Sequence, residues 1–194
     1  MADRRPRKDA ARNRAAVLAA ADPLFARCAH PDDVTMADIA AAAGVGKGTL
    51  FRAFGDRTGL IRALYEARLE PVRARVEEGP PPLGPGSPPR RRVLALLDAV
   101  LCFKLDNRHL AVALEQTGDA SPYRTDHYER WHALLKELLE QVPGGADADF
   151  TAHALLAATR ADLVAHLADG AGLSREDMRS RLAEFAARTL GTED

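Results

Sequence analysis

From Thr35 to Phe54 the chain reads TMADIAAAAGVGKGTLFRAF, and this stretch restricts the fold more than any other. Thr35 followed three residues later by Asp38 is a capping box, in which the hydroxyl accepts from the Asp38 amide and the carboxylate reaches back to the Thr35 amide. The helix opened there is short, because Gly44 suits the left-handed conformation that ends a helix. Val45 can then turn inward, and another helix starts at once near Gly46. In that helix Leu50 and Phe54 share a face with Ala53, while Gly48 and Arg52 project from the opposite side. Lys47, Thr49 and Phe51 flank the outer side. Two short helices joined by a glycine turn, the second with a small, polar, basic outer face, form a helix-turn-helix.

The flanking sequence is helical throughout, so the fold class is all-α. Val17, Ala21, Leu24 and Cys28 recur at i, i+4, i+7 and i+11, which predicts a first helix over 10–28. Pro23 lacks an amide proton and predicts a kink or a late helix start. Residues 30–34, with Pro31 and two aspartates, read as a turn. Asp56 can cap a fourth helix whose inward face is Ile61, Leu64, Tyr65 and Val72, with a bend at Pro71. The segment GPPPLGPGSPP (79–89) is rich in Pro and Gly and predicts an extended loop without apolar residues to pack. Beyond it, helices are predicted over 90–106, 108–117, 122–141, 147–169 and 174–190. The organisation expected is a three-helix head at 1–56 followed by a larger helical body at 57–194.

Composition excludes several classes. With 194 residues and 46% hydrophobic content the chain can bury one or two cores. No run of eighteen apolar residues occurs, and the charged start MADRRPRKDAARNR is followed by no apolar segment. Neither a membrane span nor a secretory signal is expected, and the predicted location is the cytoplasm. Cys28 and Cys102 lie far apart without zinc-type spacing, so both read as reduced packing thiols. The net charge of −1 hides an asymmetry. The first twenty residues hold Arg4, Arg5, Arg7, Lys8, Arg12 and Arg14 against Asp3 and Asp9, a local excess of four positive charges that leaves −5 for the rest. A basic arm on an acidic body suits one end to phosphate.

A helix about 10–12 Å wide fits the major groove of B-DNA when its outward residues are small and can donate hydrogen bonds. Lys47 and Arg52 supply donors and Gly48 supplies close approach. The stretch TMADIAAAAGVGKGTLFRAFGDRTGLIRALYE also resembles the TetR family: an Ile-Ala pair, Ala-Gly-Val, Gly-Thr-Leu-aromatic, Phe, and the opening of a fourth helix. The likeness covers roughly residues 10–66. It implies that Lys47, Gly48, Thr49 and Arg52 face double-stranded operator DNA, with Phe51 and Arg57 against phosphates. Phe51 stands where the family usually has tyrosine, so a phosphate donor is missing. Gly46 replaces a frequent serine, weakening the cap by only a few tenths of a kcal/mol. Gly48 costs about 1 kcal/mol of helix propensity relative to alanine. Thr35 offers DNA only a hydroxyl already used in capping. Arg4, Arg5 and Arg7 either enter the minor groove or stay disordered.

The same resemblance implies a body that binds a small ligand and forms the dimer. The chain is expected to be a dimeric transcriptional regulator, activator or repressor, with a repressor released by a small, largely apolar effector as the first expectation. Its last two long helices would pack against their symmetry mates. Ala154, Ala157, Ala158, Ala161 and Ala165 permit close helix approach, and Met178, Leu182 and Phe185 form a stripe that is either interface or internal core. Side chains with an apolar body and a polar tip suit an effector pocket: Tyr123, His127, Tyr128 and Trp131, joined by Phe103, Gln116, His153 and His166. Asp162 and His166 lie at i, i+4 and could chelate an ion, but no third ligand shares their face and a surface pair is expected. No metal, no cofactor and no catalytic residue is predicted. The alternative reading is a helical binding module or enzyme that keeps the head only as packing. Replacing Lys47 and Arg52 by alanine separates the two.

Overall fold

A computed structural model describes residues 5–28, 31–116, 123, 125–143 and 147–191. They form α1 (Arg5–Arg27), a 3-10 turn (Pro31–Asp33), α2 (Met36–Ala43), α3 (Lys47–Phe54), α4 (Arg57–Glu78), α5 (Pro89–Asp106), α6 (Arg108–Gln116), α7 (Asp126–Glu140), α8 (Ala148–Ala157), α9 (Ala161–Ala165) and α10 (Arg175–Thr189). One π turn, His166–Gly170, follows α9. The chain divides into two compact units, 1–68 and 69–194, so α4 contributes to both. Among the described residues no helix is long and apolar enough to cross a membrane.

In the first unit α1, α2 and α3 pack on one another. Their contact surface is Val17, Ala21 and Phe25 from α1, Ile39 and Ala40 from α2, and Leu50 and Phe54 from α3. Leu60, Ile61, Leu64 and Tyr65 of α4 are buried as well. Arg68 of α4 donates Nε to the Asp22 carboxylate of α1 at 2.6 Å.

Three expectations change here. Helix α1 begins at Arg5 rather than near residue 10, and it runs unbroken through Pro23. Pro23 is exposed, so the carbonyl freed four residues earlier lies where water can satisfy it. Ala53 is exposed rather than sharing the buried face of Leu50 and Phe54. Finally, α4 is continuous through Pro71, which is also exposed, and Val72 is only half-buried.

In the second unit α5 is the central helix, packing against α6, α7, α9 and α10, while α7 pairs with α8. Val93, Leu96, Leu97, Val100 and Leu101 of α5 are all buried. The connection at 79–89 is not devoid of packing, because Leu83 is buried. Arg92 holds this turn by donating to the carbonyls of Leu83 and Val76 at 3.1 and 2.8 Å.

The single helix predicted over 147–169 is broken between α8 and α9. Thr159 is buried and bonds back to the Leu156 carbonyl at 2.9 Å, which competes with the helical ladder. Arg160 is extended at φ −59°, ψ 142°. The new helix start is then capped from elsewhere in the sequence: the Glu115 carboxylate of α6 accepts from the Ala161 and Asp162 amides at 3.0 and 3.4 Å. Such a cap leaves no local sequence signature.

Candidate nucleic-acid interface and effector-site residues

Helix α3 is fixed at both ends. Before it, Gly44 adopts φ 65°, ψ 29°. The Val45 amide donates to the Ala40 carbonyl at 3.0 Å and the Gly44 amide to Ala41 at 3.2 Å. This is the pair of bonds that defines a Schellman turn, and Val45 is half-buried beside it. Gly46 is the N-cap without a side-chain bond, its carbonyl accepting from Thr49 and Leu50 at 2.9 and 3.2 Å. After α3, Gly55 at φ 78° returns its amide to the Phe51 carbonyl.

The α3 C-terminus is further held by Arg14 of α1, a contact that sequence reasoning missed. Its Nη1 donates to the Ala53 carbonyl at 2.7 Å, and its guanidinium lies 4.4 Å from the Phe54 ring centroid. A cation here complements the negative helix end and the ring face together. Arg14 sits on the exposed side of α1, where apolar periodicity carries no information.

With Leu50 and Phe54 turned into the core, the outer face of α3 presents exposed Lys47, Gly48, Phe51 and Arg52, with Thr49 half-buried. Neither Lys47 nor Arg52 has a hydrogen-bond or ion-pair partner among the described residues. The space where a Cβ would project from Gly46 or Gly48 is open. This face can therefore approach a flat or grooved polyanion closely and donate to it.

Thr35 caps α2 as the sequence predicts. Its hydroxyl oxygen accepts from the Asp38 amide at 3.2 Å, its amide donates to Asp38 Oδ2 at 3.0 Å, and the hydroxyl stands 2.6 Å from that oxygen. The hydroxyl bond and then the amide bond hold the Asp38 carboxyl below the ordinary range. Arg57 is half-buried: Nε donates to the Val34 carbonyl at 3.3 Å and Nη2 pairs with Asp32 at 3.3 Å. Its guanidinium thus ties the start of α4 to the turn before α2. Asp56 caps α4 by accepting from the Gly59 amide at 2.7 Å. Arg4 lies outside the described residues, as do the side chains of Arg5 and Arg7.

The residues predicted for an effector pocket are spread over the body. Phe103 of α5 and Trp131 of α7 are buried, on two helices that pack together. His127 is half-buried, with Nε2 3.3 Å from the Thr125 hydroxyl. Tyr123, Tyr128 and His153 instead meet at the surface: the two tyrosine rings pack edge to face, and Tyr128 Oη lies 2.6 Å from His153 Nδ1. His166 is exposed in the π turn, and the side chain of Gln116 lies outside the described residues.

A cleft of about 170 Å³ opens elsewhere, lined chiefly by Leu101, Leu163, Leu167, Met178, Leu182 and Phe185. Met178 and Leu182 belong to the core, but Phe185 and Leu163 are 39% and 38% exposed. Asp162 is gripped by Arg160 through two bonds of 3.0 and 2.9 Å. Both cysteines are free and half-buried.

Residues 17–64 match the family model described as bacterial regulatory proteins, tetR family. Over 186 residues the chain is 25% identical to an HTH-type transcriptional regulator of Staphylococcus aureus, covering 94% of this chain and 96% of that one. The HTH-type transcriptional repressor LfrR of Mycolicibacterium smegmatis is 41% identical over 83 residues, which span 43% of this chain and 42% of the repressor. Among solved structures, a TetR-family transcriptional regulator from a Rhodococcus species superimposes with a TM-score of 0.70 at 22% identity, covering 93% of this chain and all of that one. NalD, described as the secondary repressor of a multidrug efflux pump in Pseudomonas aeruginosa, gives a TM-score of 0.58 at 20% identity, covering 94% and 97%. These two structural likenesses concern the fold.

Proposed function

We propose that the chain, whose residues 17–64 match the tetR family model, is a helix-turn-helix transcriptional regulator of that family and acts as a homodimeric repressor released from operator DNA by a small, largely apolar effector. The carrying observation is the outer face of α3, where Lys47 and Arg52 are exposed, with no partner among the described residues, around an open Gly48. In this reading residues 1–56 bind DNA. Lys47 and Arg52 reach base edges and phosphates, Gly46 and Gly48 allow close approach, Thr49 donates its hydroxyl, and Phe51 packs on sugar or a thymine methyl. Thr35 and Arg57 contribute less as donors, since the capping box and the Val34–Asp32 pair already engage them.

Residues 57–194 supply the dimer and the effector site. Support for the dimer comes from Phe185 and Leu163, large apolar side chains left exposed beside an apolar cleft, with half-buried Ala154, Ala157 and Ala158 nearby in sequence. For the effector, Phe103 and Trp131 provide apolar walls on adjoining helices and His127 a polar group. Two α3 helices of a dimer would have to meet successive major grooves about 34 Å apart, so an effector that alters their spacing releases DNA.

The test is retardation of the protein's own promoter DNA across a salt series. Wild type should show sequence preference and a steep loss of affinity with salt. The Lys47→Ala/Arg52→Ala variant should lose DNA binding while keeping its fold and oligomeric state. Unchanged DNA affinity in that folded variant would sink the reading.

A further inference from the structure

His153 also belongs to a surface cluster of potential metal ligands on α7 and α8. Helix α8 places Asp149 and His153 at i, i+4, one turn apart on one face, and α7 brings His132 against them. The His132 and His153 rings stack with centroids 3.9 Å apart and planes inclined by 26°. His132 Nε2 is 3.7 Å from Asp149 Oδ1. One ligand atom from each of the three residues lies within 4.8 Å of the others.

We propose that His132, Asp149 and His153 form a binding site for a divalent transition-metal ion of the zinc type, bridging α7 and α8. Two imidazole nitrogens and one carboxylate oxygen are a borderline donor set, favoured by such ions and not by magnesium or calcium. Three protein donors leave a fourth tetrahedral position for water. Zinc holds its donors about 3.3 Å apart, given bond lengths of about 2.0–2.2 Å. Closing the site therefore requires the donors to draw in from separations of up to 4.8 Å, the stacked rings to turn so that their nitrogens converge, and His132 Nε2 to leave the Asp149 carbonyl it meets at 3.3 Å. His153 and Asp149 are exposed and His132 half-buried, which leaves these side chains room to rotate.

Two neighbours fit this role. Tyr128, one turn before His132 on α7, engages His153 Nδ1 at 2.6 Å, which leaves Nε2 as the ligating atom and fixes the ring. Outer hydrogen bonds of this kind orient metal-binding histidines, so Tyr128 is a positioning residue. Lys136, one turn after His132, lies 3.0 Å from Asp149 Oδ1. Its ammonium occupies the carboxylate in the absence of a metal and competes with the incoming ion. The site escapes a scan for local spacing because its two histidines lie 21 residues apart on two helices. It does not rest on the DNA-binding reading, since metal affinity is measured without DNA.

The experiment uses tag-free full-length protein stripped with a chelator and titrated with Zn²⁺ by calorimetry and with Co²⁺ by visible absorption. One ion per chain is expected, with the d–d bands of a four-coordinate Co²⁺ site. His132→Gln and His153→Gln should each weaken binding at least tenfold while circular dichroism stays unchanged. Tyr128→Phe should weaken it about tenfold, and Lys136→Gln should tighten it severalfold. Absence of stoichiometric binding, or affinity unaltered in both folded histidine variants, overturns the proposal. Weaker binding in Lys136→Gln would contradict the competition it assigns to that lysine.

Discussion

At the residue scale, glycine and arginine do work in the head that their average preferences would not suggest. Gly59 cannot be replaced without cost: a Cβ there would sit 2.0 Å from the Phe54 carbonyl oxygen, so α4 can start only if that position is bare. Gly48 is the opposite case, with open space around it and a helical backbone that any residue could adopt. Gly48→Ala should therefore raise stability by about 1 kcal/mol while placing a methyl on the DNA-facing side. Thermal denaturation should show a higher Tm and retardation assays a lower DNA affinity. A gain in both would mean that close approach at Gly48 is unimportant. Arg14 shows how much of a recognition helix is positioned from outside it, through one carbonyl and one ring.

At the element scale, helix ends decide where the short helices lie. The α2 capping box depends on an ionised Asp38, whose carboxyl is held below the ordinary range by bonds from Thr35. A depressed folded-state pKa means that the bond contributes fully above the ordinary carboxylate range and is lost as pH falls through the lower folded value. Thr35→Ala should cost about 1 kcal/mol near neutral pH, and its Tm deficit should shrink as the protein is acidified below that range. A deficit independent of pH would show that the carboxylate takes no part.

The α9 start depends on Glu115, which also pairs with Lys104 at 3.1 Å and faces Arg160 at 3.5 Å. Burial pushes the Lys104 pKa down, and the Glu115 charge opposes that shift. Glu115→Ala strands the ammonium and uncaps α9. The expected loss is about 2 kcal/mol, below the usual figure for a fully buried pair because both side chains keep some exposure. Adding Lys104→Met should restore part of it in chemical denaturation, whereas strict additivity of the two substitutions would show that the pair is uncoupled.

At the scale of the whole molecule, the exposed apolar residues matter most. Phe185 and Leu163 flank a cleft with apolar walls, an arrangement that a second copy of the chain would cover in the dimer proposed above. Phe185→Glu puts a charge into that interface and leaves the core residues Met178 and Leu182 in place. Sedimentation should show a monomer with native helicity and greatly weakened DNA retardation, because a single head lacks the second half-site. A Phe185→Glu variant that still sediments as a dimer would place the interface elsewhere.

The sequence alone determined the helix-turn-helix and the all-helical class, because the signals involved are local. A capping box spans four residues, a Schellman turn needs one glycine, and the buried face of α3 follows from a 3.6-residue period. Only the tertiary structure decided the break between α8 and α9, where the cap comes from Glu115, far away in the chain. The same holds for the Arg14 clamp and for the meeting of His132 with Asp149 and His153. Each depends on side chains from different helices converging in space, and that convergence is set by packing rather than by the spacing of residues along one helix.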